Sequence, residues 1–133
     1  MSAVLADTHA LIWYLREPTK LSATALAALR QAAPAGDPIY VASISLVEVC
    51  YLVEKGRLPQ VAFARLDGAL DNATTNLASV PLDLAIARAV AQIPRGAAPD
   101  LPDRIIAATA FHLNVPLVTR DPKIQAAPIT TIW

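Results

Sequence analysis

The stretch "AVLADTHALIWYL", residues 3–15, contains a short apolar run, then an aspartate, then a longer segment rich in apolar residues. The apolar run, residues 3–6, shows no alternation of apolar and polar positions, which predicts a β-strand covered on both faces. Asp7 ends the run, and "THALIWYLR" directly after it predicts a helix. A buried strand that leads directly into a helix is the unit from which parallel sheets are built.

The same order of strand and helix continues along the chain. Strands are predicted at residues 3–6, 39–43, 77–80, 116–119 and 129–133. Helices are predicted at residues 8–16, 21–33, 45–55, 60–71, 82–93 and 101–113. The alternation predicts an α/β fold, namely a three-layer α/β/α sandwich with a mainly parallel, about five-stranded sheet and right-handed crossovers. Because no internal repeat or linker interrupts the pattern, we interpret residues 1–133 as a single domain.

The composition bounds the class of protein. Hydrophobic residues make up 55% of the chain and the mean hydropathy is +0.44, which predicts a packed, Ala-rich core. The 11 basic and 11 acidic residues cancel, so the chain lacks the basic surface of a general nucleic-acid binder. The single cysteine, Cys50, excludes an internal disulfide and a Cys-rich zinc site. Without a signal-peptide pattern or a membrane-spanning stretch, we expect a cytoplasmic protein.

Three carboxylates follow predicted strands. Asp7 comes directly after the first strand, Glu48 lies in the first turn after the second, and Asp121 follows the fourth. The carboxyl ends of parallel strands meet at one edge of a sheet, where open α/β sheets bind ligands. Asp103 opens the helix that leads into the fourth strand, and helix starts in such folds commonly lie at this edge. The sequence therefore predicts that these four carboxylates converge.

The segment "PDLPDRIIAATA", residues 99–110, determines how Asp103 is oriented. Capping explains the order of its residues, with Asp100 at the N-cap, Pro102 in the first turn and Asp103 at the capping-box position. At about 100° per residue, Asp103 shares a helical face with Ile106, which we expect to be buried. A carboxylate on a buried face needs a partner. We interpret Asp100 as a helix cap and Asp103 as a ligand of a shared cation.

Converging carboxylates repel one another and raise each other's pKa unless a cation neutralises them. A set of oxygen ligands without His or Cys favours Mg²⁺ or Mn²⁺. Such an ion orients water, lowers its pKa and stabilises charge on a phosphodiester. The hypothesis is that Asp7, Glu48, Asp103 and Asp121 bind one metal ion and that the chemistry is phosphodiester cleavage.

The carboxylates also have a structural interpretation. Ser45 and Glu48 match a capping box, and Asp7 can cap the helix that follows it. The alternative function is therefore a non-catalytic α/β binding module whose acidic residues only cap helices.

Each polar neighbour of the carboxylates can be interpreted either as part of the site or as a structural or surface residue. Thr8 and Thr119 offer hydroxyls either to the site or to the local backbone. His9 is interpreted as a packing or surface residue, because no second His stands at ligand spacing. Arg104 and Arg120 are each adjacent to an aspartate and could clamp phosphate. Because sequence neighbours on a helix point apart, we expect them instead to face outward or to form salt bridges.

Four blocks of the chain resemble a known family. "ADTHALIWYL", "SISLVEVCYL", "PDLPDRIIAATA" and "PLVTRD" are similar to the acidic blocks of PIN-domain ribonucleases, and in order and length to VapC toxins of type II toxin–antitoxin modules. Each block alone is weakly specific, but together they cover nearly the whole chain in the right order. The resemblance implies the same three-layer fold and an acidic site at Asp7, Glu48, Asp103 and Asp121.

The resemblance also implies an activity and partners. It implies a Mg²⁺- or Mn²⁺-dependent endoribonuclease toxin in which metal-activated water attacks an RNA phosphodiester. It further implies a homodimer and a cognate VapB-type antitoxin that occupies the site.

Other families with acidic or phosphate-binding sites fit the sequence less well. A haloacid-dehalogenase-like phosphatase needs a second aspartate two residues after the first, where this chain has His9. A receiver domain needs paired acids after its first strand, whereas Asp7 stands alone. Only four glycines are present and none is clustered, which argues against a nucleotide-binding P-loop.

Overall fold

The computed structural model describes residues 2–133. The strands are Val4–Ala6 (β1), Ile39–Ala42 (β2), Leu77–Val80 (β3), Leu117–Val118 (β4) and Thr131–Ile132 (β5). The α-helices are Thr8–Arg16 (α1), Ala23–Ala32 (α2), Ser43–Glu54 (α3), Gln60–Asp71 (α4), Leu84–Ala89 (α5) and Leu101–Leu113 (α6). Short 3₁₀-helices lie at Pro18–Lys20, Ala73–Thr75, Val90–Gln92 and Pro122–Ala126. Each predicted strand and helix is present, which confirms the alternation.

The strands form one parallel sheet in the order β3-β2-β1-β4-β5. β1 lies at the centre, where Leu5 is in register with Tyr40 of β2 and Leu117 of β4. The chain builds the sheet from β1 through β2 to β3, then returns to the other side of β1 for β4 and β5. The reversal between β1 and β4 is a topological switch point, the place where open α/β sheets bind ligands.

Helices cover both faces of the sheet, which confirms the three-layer prediction. One core packs α1, α2, α3 and α4 against the face that carries Val4 and Ala6 of β1. The other core packs α5 and α6 against the face that carries Leu5. Because successive residues of a strand point to opposite faces, β1 contributes to both cores and is buried along its length.

The start of α3 differs from the prediction. β2 ends at Ala42 and the helix begins at Ser43, with Ala42 at the N-cap and no side chain capping the helix. The predicted capping box of Ser45 and Glu48 is therefore wrong, because Ser45 already lies inside the first turn and is fully buried. The physical reason is that strand and helix join without a turn, so no loop residue is available to act as the cap.

The end of α3 is a hydrogen-bonded turn. Gly56 has a φ of +72° and its N–H donates to the Val53 carbonyl at 3.0 Å, while the Arg57 N–H donates to the Leu52 carbonyl at 2.9 Å. This is the Schellman arrangement, in which a residue in the left-handed region closes the helix. It confirms Gly56 as the stop signal of α3 and fixes the direction in which the chain leaves the helix.

One predicted helix is divided in the structure. α5 covers only Leu84–Ala89 and continues as the 3₁₀ turn Val90–Gln92, whereas a single helix over residues 82–93 was predicted. α6 covers Leu101–Leu113, as predicted. Of the helices within residues 2–133, none has the length and apolar character needed to cross a bilayer.

Truncation of Leu5 tests how much the centre of the sheet contributes to the free energy of unfolding. Its side chain is fully buried, so truncation removes apolar contacts and leaves a cavity. We expect Leu5→Ala to lower the free energy of unfolding by about 2–5 kcal/mol, measured by urea denaturation. The control is Val61→Ala on the exposed face of α4, for which we expect a change below about 0.5 kcal/mol. Equal losses in the two variants would contradict the central role of β1.

Candidate metal centre

Asp7 lies at the switch point, where β1 ends and α1 begins. It is the N-cap of α1, and its Oδ1 accepts a hydrogen bond of 2.8 Å from the Ala10 N–H, which confirms the capping interpretation. The Asp7 N–H donates to the Val118 carbonyl at 3.1 Å and so ties the residue to β4. Burial raises the pKa of the Asp7 carboxyl, although hydrogen bonds from Thr119 and Ala10 oppose the shift. Asp7 is thus both a cap and a partly buried acid at the ligand-binding edge.

Asp121 lies on the β4 side of the switch point. It is the N-cap of the 3₁₀-helix Pro122–Ala126, where its Oδ1 accepts a 2.9 Å hydrogen bond from the Lys123 N–H. The Asp121 N–H donates to Thr119 Oγ1 at 3.1 Å. Because the Thr119 hydroxyl also hydrogen-bonds Asp7, this buried threonine links the two aspartates.

Glu48 reaches the same edge from the second turn of α3. Thr8 Oγ1 donates to Glu48 Oε1 at 2.5 Å and lies 2.9 Å from Ser45 Oγ. Thr8 and Ser45 are both buried, so their hydroxyls form a short polar chain inside an otherwise apolar contact between α1 and α3. This chain fixes the orientation of one Glu48 oxygen from inside the fold.

Asp100 and Asp103 both come from the start of α6. Asp100 occupies the N-cap position as predicted, but its side chain forms no capping hydrogen bond. The prediction that this carboxylate caps the helix is therefore wrong, and the exposed side chain instead lies beside Glu48 and Asp103. Asp103 is half-buried and shares its helical face with the buried Ile106, as predicted.

Glu48, Asp100 and Asp103 form the closest group at this edge, which we call the acidic cluster. One carboxylate oxygen of each lies within 4.8 Å of the others. Asp7 and Asp121 lie outside this group of three, although their charges contribute to raising the pKa of Asp103. The fold therefore brings the four predicted residues to one sheet edge and adds Asp100 to them.

The electrostatics of the acidic cluster are unfavourable without a cation. Burial, then the charges of Glu48 and Asp100, raise the pKa of Asp103 to about 6. Burial also raises the pKa of Glu48, against the hydrogen bond from Thr8. Within residues 2–133 the one ion pair joins Lys20 and Glu17, so no lysine or arginine nitrogen lies within 4.0 Å of a carboxylate in the cluster.

The basic residues next to the aspartates lie outside the acidic cluster. His9 is exposed and its ring lies 5.8 Å from that of Trp13, as expected of a packing or surface residue. Its charge also acts on Asp7 and Glu48, where it opposes the rise in their pKa. Arg120 is exposed. Arg104 neither faces outward nor forms a salt bridge, so that expectation is wrong. The Arg104 Nε donates a hydrogen bond of 3.1 Å to the Ile93 carbonyl. This hydrogen bond connects the start of α6 to the segment that follows α5.

From the sequence, two residues of this site were assigned to helix capping. Asp100 stands three residues before Asp103, and Ser45 stands three residues before Glu48. Residues three apart on a helix are neighbours on one face, so this spacing was a usable signal in both cases. Capping rules explained the same spacing and therefore concealed it.

The donor set fits a hard divalent cation. It consists of carboxylate oxygens, which Mg²⁺ and Mn²⁺ prefer. A cation would also relieve the repulsion that raises the pKa of Asp103. Glu48, Asp100 and Asp103 have oxygens close enough together to share such an ion. The charges of Asp7 and Asp121 also act on Asp103, so both carboxylates face the same edge.

Known proteins resemble this chain along its full length. The PIN domain family matches residues 4–129. The chain is 31% identical over 137 aligned positions to Ribonuclease VapC22 of Mycobacterium tuberculosis, and the match covers 100% of both chains. VapBC2 from Rickettsia felis, solved with a promoter DNA fragment, has a TM-score of 0.73 at 16% identity and covers 97% of this chain and 96% of that one. DNA-bound VapBC from Salmonella typhimurium has a TM-score of 0.72 at 21% identity, over 98% of this chain and 97% of that one.

The raised pKa of Asp103 predicts a pH-dependent effect of its neutralisation. A carboxyl whose pKa rises from 3.8 to about 6 on folding makes the wild type lose stability as the pH increases through that range, because the folded state holds the proton more tightly. Asp103→Asn removes this loss. In metal-free buffer we expect the variant to be more stable by about 1 kcal/mol at pH 7.5, after allowance for solvent screening of a half-exposed group.

Urea denaturation across the pH range measures this difference, which is expected to vanish near pH 4. The control is Asp71→Asn, at the end of α4 and hence at the opposite edge of the sheet. A stability gain for Asp103→Asn that is independent of pH, or one equalled by the control, would refute the electrostatic explanation.

Proposed function

The chain belongs to the PIN domain family, and we propose that it is a metal-dependent endoribonuclease that acts as the toxin of a VapBC-type toxin–antitoxin module. The relation to Ribonuclease VapC22 over the full length of both chains supports this proposal. The family match over residues 4–129 also supports it. Because this match and the continuous five-stranded sheet both extend along nearly the whole chain, we further propose a single catalytic domain.

One observation carries the proposal. Three carboxylates from two helices have oxygens within 4.8 Å of one another, at the edge where an α/β sheet binds its ligand. Helix capping does not explain this arrangement, because neither Asp100 nor Glu48 forms a capping hydrogen bond. A binding module whose acids only cap helices has no reason to bring them together at a cost in electrostatic repulsion.

In the proposed site, Asp7, Glu48, Asp103 and Asp121 serve as metal ligands and catalytic residues, and Asp100 joins them. When bound, Mg²⁺ or Mn²⁺ supplies a water of lowered pKa and stabilises charge on the phosphodiester. The reaction exchanges one P–O bond for another: a water oxygen attacks phosphorus, an ester oxygen leaves with the bonding pair, and the proton that the water loses ends on the leaving oxygen.

The surrounding hydroxyls hold the carboxylates in place for this chemistry. Thr8 donates to one oxygen of Glu48, and Thr119 bonds Asp7 while accepting from the Asp121 N–H. Because both threonines are buried, their hydroxyls limit the movement of these carboxylates when a phosphate arrives. Such preorganisation is the main contribution that a protein makes to phosphoryl transfer.

We propose two protein partners. A VapB-type antitoxin is proposed because the two VapBC structures above share this fold. A second copy of the chain is proposed because Leu82 and Leu84, next to and within the start of α5, are 47% and 62% exposed and form an apolar surface suited to a homodimer. The cytoplasm is the proposed location, since the single free cysteine suits a reducing compartment.

RNA cleavage by the purified protein tests the proposed function. We expect wild type incubated with total cellular RNA and Mn²⁺ to produce discrete new RNA ends, mapped by sequencing. Asp103→Asn is expected to produce them at least about 100-fold more slowly, the usual scale for loss of one electrostatic contact to a transition state. Asp71→Asn is the control and is expected to match wild type. New ends of equal abundance with Asp103→Asn, or none with wild type, would refute the proposal.

A further inference from the structure

A groove of about 500 Å³ lies beside the acidic cluster, between α3 and the start of α6. Glu48 and Asp100 line one end of it, and Lys55 and Arg57 are also among its lining residues. Tyr51, which is 58% exposed, lines it as well. The groove is therefore continuous with the candidate metal centre and combines acidic, aromatic and basic side chains.

The order of these side chains is set by α3. Glu48, Tyr51 and Lys55 follow one another at intervals of three and four residues, so they lie along one face of the helix. The helix rises by about 10 Å between Glu48 and Lys55, with Tyr51 between them. Along this face an anionic group, an aromatic ring and a cation succeed one another.

The basic end of the groove is held by the turn that closes α3. The left-handed Gly56 and the hydrogen bond from the Arg57 N–H to the Leu52 carbonyl fix the backbone that carries Lys55 and Arg57. Within residues 2–133, neither basic side chain has a carboxylate oxygen within 4.0 Å. Both cations are therefore available to an anionic ligand.

We propose that this groove binds the nucleotide next to the scissile phosphodiester of an RNA strand. The inference rests on the proposed function, because it places the scissile phosphate at the acidic cluster. The neighbouring base stacks on Tyr51, and the next phosphate contacts Lys55 and Arg57. A single strand presents phosphate, base and phosphate in this order, and its bases stack on aromatic side chains while its phosphates contact cations.

Charge favours RNA over an apolar protein segment as the occupant. An apolar segment would cover Tyr51 and the exposed Leu101 at the rim, but it would leave Lys55 and Arg57 without a partner. An RNA strand satisfies the ring and both cations at once.

Binding of a labelled RNA tests the groove. The probe is a fluorescein-labelled, single-stranded 12-nucleotide RNA of mixed sequence, titrated with the full chain in Ca²⁺ and followed by anisotropy, with probe integrity checked afterwards. We expect Tyr51→Ala to weaken binding about tenfold, while Tyr51→Phe, which retains the ring, stays within about twofold of wild type. Because Tyr51 is exposed, neither change should disturb the fold, which circular dichroism verifies.

The basic end is tested by the double variant Lys55→Ala, Arg57→Ala. We expect it to weaken binding and to reduce the slope of log K against log salt by about 0.7, the value for one phosphate contact on a single strand. Arg30→Ala, which removes an exposed arginine of α2, is the matched control and is expected to bind like wild type.

Two results would overturn the groove assignment. They are equal affinity of Tyr51→Ala and wild type, and absence of probe binding by wild type. If the affinity is equal and the oligomeric mass of Tyr51→Ala changes, the surface is assigned to a second copy. Mn²⁺-dependent cleavage is measured on the same preparations. Cleavage with unchanged binding in the groove variants refutes the groove assignment and leaves the proposed function intact. Groove-dependent binding without cleavage refutes the proposed function and leaves the groove as an RNA-binding surface without a scissile phosphate beside it.

Discussion

Repulsion between carboxylates at one edge of the sheet is the constraint on which the rest of the site depends. Asp7 follows β1, Asp121 follows β4, and the acidic cluster of Glu48, Asp100 and Asp103 comes from α3 and α6. These elements are distant in sequence and meet only because the strand order reverses between β1 and β4. The two packed cores must therefore supply the free energy that holds like charges together. Without a bound cation, the folded state carries the full cost of this repulsion. A bound cation would remove the repulsion and so stabilise the folded state.

The hydroxyl groups at this edge show how the fold limits that cost. Thr8 and Thr119 are buried, and each bonds one carboxylate of the site. They lower the pKa of Glu48 and Asp7 while burial raises it, and burial has the larger effect. Asp103 receives no such hydrogen bond, and its pKa rises to about 6. A bound metal ion would therefore stabilise the ionised form of Asp103.

The fold was predictable from the sequence to a greater extent than the site. Apolar runs such as residues 3–6 identify buried strands because such strands carry apolar residues on both faces. The start of α3 was not predictable, because strand and helix join at Ser43 without a turn residue between them. Asp103 was placed correctly from the periodicity of α6, whereas Asp100 was assigned to capping, since one spacing serves both purposes. The hydrogen bond from Arg104 to the Ile93 carbonyl was not predictable. It depends on how α6 packs against the segment after α5, and no local sequence pattern encodes that packing.

Net charge describes this protein poorly, because its charges are segregated. The chain as a whole is neutral, yet one sheet edge is acidic and the adjoining groove has two cations on a fixed turn. The central claim is that the acidic edge is a cation site, and thermal unfolding with and without Mn²⁺ tests it most directly, with wild type beside Asp103→Asn. At a Mn²⁺ concentration about 100-fold above the dissociation constant, wild type gains about 2.7 kcal/mol and unfolds several degrees higher. The account predicts that Asp103→Asn loses most of this gain. Equal shifts in the two proteins, or no shift in wild type, would contradict it.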